Sequence, residues 1–565
     1  MEAFFGLQGK IWGQINGWKE KFLSQAGKEV LLKVVIQSIP TYTMSVFELP
    51  KSICKDINSM MSNFWWGQKE KETRTAWMSW ERIGKAKEKG GMGYRDLESF
   101  NFALLAKQGW RLLKHPDSLM SRILWQKYFP SDSFLNSQLW WNPFYAWRSI
   151  WNAKRLLLTG LIWRMGNGES IKIWGDRPST YAIRTPPRIL DKESKVSSVI
   201  DEDTHWWNTT PISEIFSDEE AAFIYNIPIS PTRQQDNLVW LGTKNGDFTV
   251  KTAYHMAKEN MEDSKGSSSI PGINKQFWRK IWSIKVPPVA RVFLWKACSN
   301  ILSTKLNLHK RGVVEDTLCP ICKMEGETVE HILWTCESAK DVWSARNSKI
   351  QKFPTMEMPF ASIITILAEK LDEELEMVTV VARLIWLRRN NVVFGGAFMS
   401  PVHILEAAAS QLENFSKVEK GRRMESPKKP APSIVKWRKP SPGWIKLNWD
   451  AAIDIECQKM GIGIIARDHS GAVLAAVSAS RPRVTDPTTA EAIAAWKMAE
   501  VCVTLGYSKV ILEGDSLEVV NSMQVDGSCW SRYGTMINDA KVLLNSIQEW
   551  KFCHTGEAPT LLPTS

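Results

Sequence analysis

The sequence predicts a multidomain protein that is mainly α-helical in its N-terminal and central regions, with a small cysteine-rich module, followed by an α/β domain with a mixed sheet. Three observations predict this fold class. The 565 residues exceed one ordinary core, since a domain has about 150 residues. Apolar residues recur at helical spacing in the first part of the chain. Near the C-terminus, alternating strands precede helices, which is typical of α/β domains.

Changes in composition divide the chain into six segments. They are a helical region at 1–130, a poorly defined connecting region at 131–270, a small Cys- and Trp-containing module at 271–350, a helical connector at 351–421, a Pro- and Lys-rich linker at 422–443, and the α/β domain at 444–565. In the connecting region only short pieces such as 247–250 are predicted strands, and no chemistry can be assigned there. The linker contains Lys428-Lys429-Pro430, which favours an extended, semi-rigid connection.

The α/β segment predicts its elements in the order strand, strand, strand, helix, strand, helix. The predicted strands cover 445–453, 461–467, 472–478 and 509–512, and the predicted helices cover 488–505 and 516–524. The turn between the second and third strands is Asp468-His469-Ser470-Gly471. Three antiparallel strands followed by helix, strand and helix indicate a mixed sheet.

The formal net charge of +12 is unevenly distributed. Residues 441–565 carry 10 Lys and Arg against 14 Asp and Glu, a net charge of −4, which leaves +16 for residues 1–440. The basic part favours a nucleic acid partner, particularly where Trp neighbours a cation, as in Trp110-Arg111. An unevenly charged, solvated surface explains the asymmetry equally well, and burial in a core is the simpler explanation for any single Trp.

Several classes of protein are excluded by the sequence. No apolar run approaches the roughly 18 residues that a transmembrane helix requires, and residues 1–10 contain too short an apolar core for a signal peptide. Nine cysteines, several of them clustered, suit a reducing compartment better than a disulfide framework. We therefore expect an intracellular protein that is not secreted and has no membrane partner.

A zinc-ligand pattern lies within the 271–350 module. Cys319, Cys322, His331 and Cys336 have the spacing C-x2-C-x8-H-x4-C. Zinc prefers four such ligands in a tetrahedron, and the C-x2-C turn offers two thiolates from one loop. Because all four positions are protein ligands, the predicted role of the Zn2+ is structural. The alternative is an accidental cluster of thiols with a surface histidine, and the other six cysteines are predicted to be packing residues.

Three carboxylates near the C-terminus are candidate site residues. In the first predicted strand, alternation places Asp450 on the face opposite Leu447 and Trp449, where a metal, a lysine or backbone hydrogen bonds could compensate its charge. Glu491 follows Thr488 at capping-box spacing, and Asp515 precedes a predicted helix as an N-cap residue would. Each structural explanation is adequate alone, but the joint placement of the three favours a metal site.

The residues around these carboxylates resemble the ribonuclease H family, in the divergent form found at the end of plant non-LTR retrotransposon polyproteins. The matching segments are KLNWDAA at 446–452, GIGIIARD at 461–468, TAEA at 489–492 and LEGDS at 512–516. Upstream, PPVA at 287–290 and FLWK at 293–296 precede the cysteine pattern as in the zinc-binding domain of the reverse transcriptases of those elements. Residues 1–130 resemble the region that follows their polymerase domain.

The resemblance implies that Asp450, Glu491 and Asp515 hold two Mg2+ ions and that the domain cleaves the RNA strand of an RNA–DNA hybrid as a hydrolase. It also implies a plant retrotransposon origin and a nuclear rather than cytoplasmic location. Three departures limit this expectation. No Asp-Asp pair of polymerase type exists, so we do not expect a complete reverse transcriptase; Ala451 stands where the family commonly has Gly; and the chain is expected to end before the last family helix.

Two classes of function therefore follow from the sequence. The first is a metal-dependent ribonuclease H type endonuclease, whose activity is expected to be weak because its two-metal site is incomplete. The second is a catalytically silent, nucleic-acid-binding remnant of a retrotransposon polyprotein.

Overall fold

The computed structural model describes residues 2–555 apart from several gaps. These gaps are 20–22, 68–75, 131, 140, 177–182, 188, 244, 264–274, 346–357, 424–437, 455, 456, 458, 483, 485, 526, 528, 530 and 532. Most of the predicted linker at 422–443 lies outside the described residues. None of the described helices combines the length and hydrophobicity needed to span a bilayer.

Helices dominate the chain up to residue 423, and most strands follow. The helices and strands are α1 (Glu2–Lys19), α2 (Gln25–Leu31), α3 (Thr41–Met44), α4 (Lys51–Trp66), α5 (Trp80–Ile83), α6 (Leu97–Lys114), α7 (Leu119–Tyr128), α8 (Tyr145–Gly160), β1 (Leu161–Arg164), α9 (Thr209–Ile215), α10 (Asp218–Tyr225), β2 (Asn237–Trp240), α11 (Val250–Asp263), α12 (Lys275–Ser283), α13 (Pro288–Cys298), α14 (Lys305–His309), α15 (Glu337–Ser344), α16 (Phe360–Lys370), α17 (Leu375–Val393), α18 (Pro401–Arg423), β3 (Ile445–Asp454), β4 (Lys459–Arg467), β5 (Val473–Pro482), α19 (Pro487–Thr504), β6 (Lys509–Gly514), α20 (Leu517–Gln524), α21 (Gly534–Leu544) and β7 (Glu549–His554). Short turns of 3-10 or π helix occur at Leu32–Ile36, Lys87–Lys89, Val196–Val199, His331–Thr335 and Asp372–Glu374.

The chain forms two compact units, each built from two stretches of sequence. Residues 1–105 and 258–429 form the first unit, and residues 106–257 and 430–565 form the second. The predicted fold class is confirmed, because the N-terminal and central regions are mainly helical and the C-terminal domain is α/β. The six segment boundaries stay predictions.

In the first unit, apolar faces of helices pack around α17. This helix buries Val378, Val381 and Ile385 at spacings of three and four residues, as an amphipathic helix requires. Trp386 is buried, whereas Phe394 lies just beyond the helix end and is 82% exposed. The described part of the connector, from residue 358 onward, is mainly helical and contributes core residues.

The sheet of the second unit has the strand order β5-β4-β3-β6-β7. The first three strands pair antiparallel, whereas β3 with β6 and β6 with β7 pair parallel, so the sheet is mixed as predicted. The hairpin turn is confirmed: the Asp468 carboxylate accepts from the backbone N–H groups of Ser470 and Ala472, and Gly471 adopts φ +88°. Helices α19, α20 and α21 bury the apolar side of the sheet.

Two elements of this domain and one of the connecting region differ from the predictions. Helix α21 and strand β7 were not predicted. The apolar residues of 534–554 show neither a clear helical period nor the strict alternation of a strand. The strand predicted at 247–250 is wrong. Residues 247–249 belong to no strand, and α11 begins at Val250, where Thr249 Oγ1 accepts from the Thr252 N–H.

The connecting region is tied to the α/β domain by buried polar contacts. Asp539 of α21 is fully buried, and its carboxylate accepts from the Ser230 and Thr232 hydroxyls, at 2.7 Å each. Arg164 of β1 donates to Thr535 Oγ1 at 2.8 Å and to the Cys529 carbonyl at 2.6 Å. The connecting region, to which no chemistry could be assigned from the sequence, therefore packs against α21 and the residues just before it.

A buried ion pair joins α17 to the cysteine-rich module. Arg389 donates through two nitrogens to the two carboxylate oxygens of Glu327, each at 2.6 Å, and Glu327 is fully buried. Glu327 also accepts from the Lys305 N–H at 2.6 Å. Such a bidentate pair fixes the orientation of both groups.

We predict that Arg389→Ala destabilises the first unit by about 3–5 kcal/mol, because Glu327 would remain buried without its cation. Calorimetric melting of the full chain measures the effect. The matched control is Lys417→Ala, which removes the exposed pair with Glu413 and is expected to cost less than about 1 kcal/mol. Equal melting temperatures for the two variants would contradict the prediction.

Candidate metal centres

The four predicted zinc ligands come together in the first unit. The ligand atoms of Cys319, Cys322, His331 and Cys336 all lie within 4.8 Å of one another. Cys319 begins a tight turn in which its carbonyl accepts from the Lys323 N–H at 2.9 Å. His331 opens a single helical turn, and the Cys336 N–H donates to the His331 carbonyl at 2.7 Å. His331 therefore lies on a short helix ahead of Cys336.

Contacts around His331 select the ring nitrogen that faces the thiols. Its Nδ1 lies 2.9 Å from a carboxylate oxygen of Glu325, and its Nε2 lies 3.3 Å from Cys322 Sγ. A carboxylate on Nδ1 fixes the tautomer in which Nε2 is free to bind a metal. The imidazole is therefore oriented as a zinc ligand and is buried, which disfavours the surface-histidine alternative.

Hydrogen bonds within the cluster shift the pKa values of Cys319 and His331. The hydrogen bond from the Cys336 thiol lowers the pKa of Cys319 to about 3, and the contact with the Cys319 sulfur raises the pKa of His331 to about 9. Thiolate and imidazole donors in a buried cluster match the preference of Zn2+. With four protein donors, no position remains for a reacting water.

The three predicted carboxylates also meet, at one end of the sheet in the second unit. Oxygen atoms of Asp450, Glu491 and Asp515 lie within 4.8 Å of one another. The parallel pairing of β3 with β6 ends at Asn448 and Glu513, so Asp450 and Asp515 both lie just beyond it. Glu491 reaches the same point from the first turns of α19, which packs against β3.

Neither of the structural explanations for Glu491 and Asp515 holds. The N-cap of α19 is Asp486, whose carboxylate accepts from the Thr489 N–H, so Glu491 is not part of a capping box. Helix α20 begins after Ser516, and no side-chain hydrogen bond caps it. Glu491 instead accepts from Trp449 Nε1 at 3.1 Å and from the Ala451 N–H at 3.2 Å.

The carboxylates repel one another and have no cation beside them. Among the described residues, none of the three forms an ion pair with Lys or Arg. Burial raises the pKa of Glu491 to about 7, with repulsion by Asp515 as the second cause. Burial and then repulsion by Asp515 also raise the pKa of Asp450. A divalent cation would compensate this charge.

The lysine that could have neutralised Asp450 is paired elsewhere. Lys446 Nζ lies 2.6 Å from Glu513 Oε1, and Asn448 Nδ2 donates to Glu513 Oε2 at 3.1 Å. Lys446 and Glu513 are both buried. The sequence analysis missed this pair, although Lys446 shares the strand face of Asp450 and Glu513 lies two residues before Asp515. The pair leaves Asp450 available as a ligand.

The unpredicted strand β7 adds one more side chain to this end of the sheet. His554 pairs in register with Gly514, and its Nε2 donates to the Asp515 carbonyl at 2.8 Å. The only sequence signal was its place after the apolar residues Trp550 and Phe552. His554 therefore holds the backbone that carries Asp515.

Comparison with known proteins identifies the family. A family model described as zinc-binding in reverse transcriptase matches residues 248–343, and one described as reverse transcriptase-like matches residues 448–556. An uncharacterized mitochondrial protein of Arabidopsis thaliana is 43% identical over 151 residues, which cover 26% of this chain and 98% of that protein. The chain belongs to the reverse transcriptase-like family. Its two candidate metal centres lie within the two matched regions.

Other relatives cover different parts of the chain. An Arabidopsis thaliana protein named "Putative ribonuclease H protein" is 24% identical over 503 residues, which cover 86% of this chain and 79% of that protein. Among solved structures, ribonuclease H1 of the archaeon Halobacterium salinarum is 20% identical and covers 20% of this chain and 86% of its own, with a TM-score of 0.19. An LC11 ribonuclease H1 complex with an RNA/DNA hybrid is 19% identical over 20% of this chain and 86% of its own, with a TM-score of 0.18.

The two family models confirm the resemblance, and the observed helices and mixed sheet confirm the fold class predicted from the sequence. The C-terminal part of this reverse transcriptase-like protein is a ribonuclease H-like domain, and a zinc-binding domain precedes it. The residue-level ligand assignments stay predictions, which the geometry of both clusters supports.

We predict that the purified protein holds one Zn2+ per chain and that Cys336→Ser loses it, because the cluster supplies a complete tetrahedral donor set. Metal analysis by mass spectrometry gives the stoichiometry. Cys457→Ser, at an exposed cysteine outside the cluster, should retain full zinc content. A chelator should lower the melting temperature of the wild type, and zinc-free wild-type protein would show the assignment to be wrong.

The raised pKa of Glu491 makes the metal-free domain less stable as pH rises. Its folded pKa of about 7 exceeds the ordinary value of 4.5, so the stabilising proton is fully bound below pH 4.5 and lost as pH rises through 7. We predict that Glu491→Gln is more stable than the wild type at pH 8 without metal, by ~2 kcal/mol, and equal to it at pH 4.

Urea denaturation with a chelator present measures this difference. Glu500→Gln on the same helix is the control, since it removes only a partly exposed pair with Lys497. If Glu491→Gln changed the free energy of unfolding equally at pH 8 and at pH 4, the charge of the buried Glu491 carboxylate would not be the cause of the lower stability at high pH.

Proposed function

We propose that this protein is a metal-dependent ribonuclease H type hydrolase that cleaves the RNA strand of RNA–DNA hybrids. The observation that carries the proposal is the convergence of Asp450, Glu491 and Asp515 without a neighbouring cation. Burial and then repulsion by Asp515 raise the pKa of Asp450 and of Glu491, and such buried charges are costly unless a cation binds beside them. The family match of residues 448–556 and the name of the Arabidopsis relative support the choice of ribonuclease H chemistry.

The chain's own residues would hold the metal and the substrate strand. Asp450, Glu491 and Asp515 would hold two Mg2+ ions, which supply a nucleophilic water and stabilise the leaving oxygen at the scissile phosphate. Asp450 and Asp515 are the more accessible ligands, whereas Glu491 is mostly buried and fixed by two donors. The 2′-hydroxyl of RNA is the group that would distinguish the cleaved strand from DNA.

A groove of the first unit places two cations, each of which also pairs with a carboxylate, beside an aromatic wall, and this combination favours a nucleic acid partner. Lys87, Glu88, Arg279, Trp282 and Ser283 line this groove. Lys87 Nζ lies 4.4 Å above the Trp282 ring, and Arg279 pairs with Glu88 at 2.6 Å. Cations beside a tryptophan suit a phosphate backbone with neighbouring bases.

Origin from a plant non-LTR retrotransposon and a nuclear location belong to the same proposal. The zinc-binding match at 248–343, described for reverse transcriptases, supports the origin. The location rests only on the sequence resemblance. A catalytically silent nucleic-acid-binding protein is the alternative, favoured by the groove of the first unit and tested by the same assay.

We predict Mg2+-dependent cleavage of a labelled RNA–DNA hybrid, and a loss of at least about a hundredfold in rate for Asp450→Asn. The control is Asp454→Asn at the end of the same strand. Its carboxylate accepts from the Cys457 N–H, which an asparagine can also do, and it lies outside the carboxylate cluster. Gel electrophoresis of the products with Mg2+ or EDTA gives the rates.

Binding of the same hybrid by each protein separates the two functions. If the wild type binds the hybrid but cleaves it no faster than Asp450→Asn, the silent binding protein is correct. If a double-stranded DNA or a single-stranded RNA is cleaved equally fast, the hybrid specificity is wrong.

A further inference from the structure

Trp449 contacts both segments that carry the other carboxylates of the site. It lies on the buried face of β3, is 3% exposed, and packs edge-on against Phe552 at 5.7 Å between ring centroids. It directly precedes Asp450 in the chain.

The first contact is a hydrogen bond. The indole Nε1 of Trp449 donates to Glu491 Oε2 at 3.1 Å, while the Ala451 N–H donates to Glu491 Oε1 at 3.2 Å. Both oxygens are thus held by donors that flank Asp450 on the same strand. Groups that donate a hydrogen bond to a metal ligand orient that ligand and raise metal affinity.

The second contact is steric. A Cβ atom on Gly514 would lie 2.2 Å from Cζ2 and 2.3 Å from Cε2 of the Trp449 ring, closer than any real contact. The indole therefore occupies the space above Gly514, one residue before Asp515. The backbone position at Gly514 therefore depends on the indole ring, and the ring leaves no room for a side chain at residue 514.

We propose that Trp449 is a positioning residue that fixes Glu491 through its N–H and Asp515 through its contact with Gly514. This inference rests on the proposed function only in that the three carboxylates bind a divalent cation. It predicts that metal affinity depends on the indole N–H and not merely on filling the core.

The test is calorimetric titration of the full chain with Mg2+ and, separately, Mn2+. Trp449→Phe keeps an aromatic ring but removes the N–H donor, and we expect roughly ten- to a hundredfold weaker metal binding. The matched control is Trp496→Phe in the same core, since Trp496 Nε1 is buried and no described atom accepts from it. That variant should bind metal as the wild type does.

A second pair of variants separates positioning from packing. Gly514→Ala should lower the melting temperature because its methyl group meets the indole. In the double variant, the smaller ring of Trp449→Phe leaves room for the methyl group of Gly514→Ala. We therefore expect the double variant to melt at a higher temperature than Gly514→Ala alone, while its metal affinity stays low. Recovery of both properties in the double variant would overturn the proposal.

A failure of this inference can be distinguished from a failure of the proposed function, because the first is measured as metal binding and the second as hybrid cleavage. Weak metal binding by Trp449→Phe supports the inference even if no variant, including the wild type, cleaves a hybrid. Wild-type metal affinity in Trp449→Phe overturns it, even if the wild type is an active nuclease. Absence of divalent metal binding by the wild type overturns it as well.

Discussion

The parallel pairing of β3 with β6 is the constraint on which the ribonuclease H-like domain depends. It ends at Asn448 and Glu513, so the next residues of both strands emerge at the same edge of the sheet. Asp450 and Asp515 must then lie close together, although 64 residues separate them. Their repulsion opposes this arrangement. The apolar core beneath the strands and the buried Lys446–Glu513 pair hold the edge in place despite it.

How much could be predicted from the sequence depends on whether the signal is local. The C-x2-C turn and the His331 helix involve neighbouring residues, so their spacing alone predicted the cluster. Alternation in β3 correctly placed Asp450 opposite Trp449. Partners that are distant in sequence gave no such signal. The Lys446–Glu513 pair, the role of Trp449 and the burial of Asp539 under the connecting region depend on tertiary contacts that periodicity does not encode. Capping-box spacing around Glu491 suggested a structural role, but Asp486 caps the helix instead.

The two metal centres differ in what the fold gains from them. The donors of the cysteine cluster form a closed tetrahedral set, so a Zn2+ bound there would contribute directly to folding. The carboxylate cluster lies at the edge of a large core and destabilises the domain when empty. Neutral or apolar replacements would remove that cost. The cysteine cluster would therefore stabilise its module when it binds metal, whereas the carboxylate cluster lowers the stability of its domain when no cation is bound.

This cost bears on whether the domain acts as a nuclease or only as a binding protein. A metal that binds the folded state stabilises it by an amount that grows with the ratio of metal concentration to Kd. Binding of nucleic acid to basic residues of the first unit requires no carboxylates at all. The convergence of the three carboxylates, the two donors that hold Glu491 and the pairing of Lys446 with Glu513 instead of Asp450 favour the proposal that a cation binds at the edge of the sheet. With a pKa of about 7 for Glu491, a cation bound under the proposed function would displace a proton near neutral pH, the range in which a hydrolytic nuclease would work.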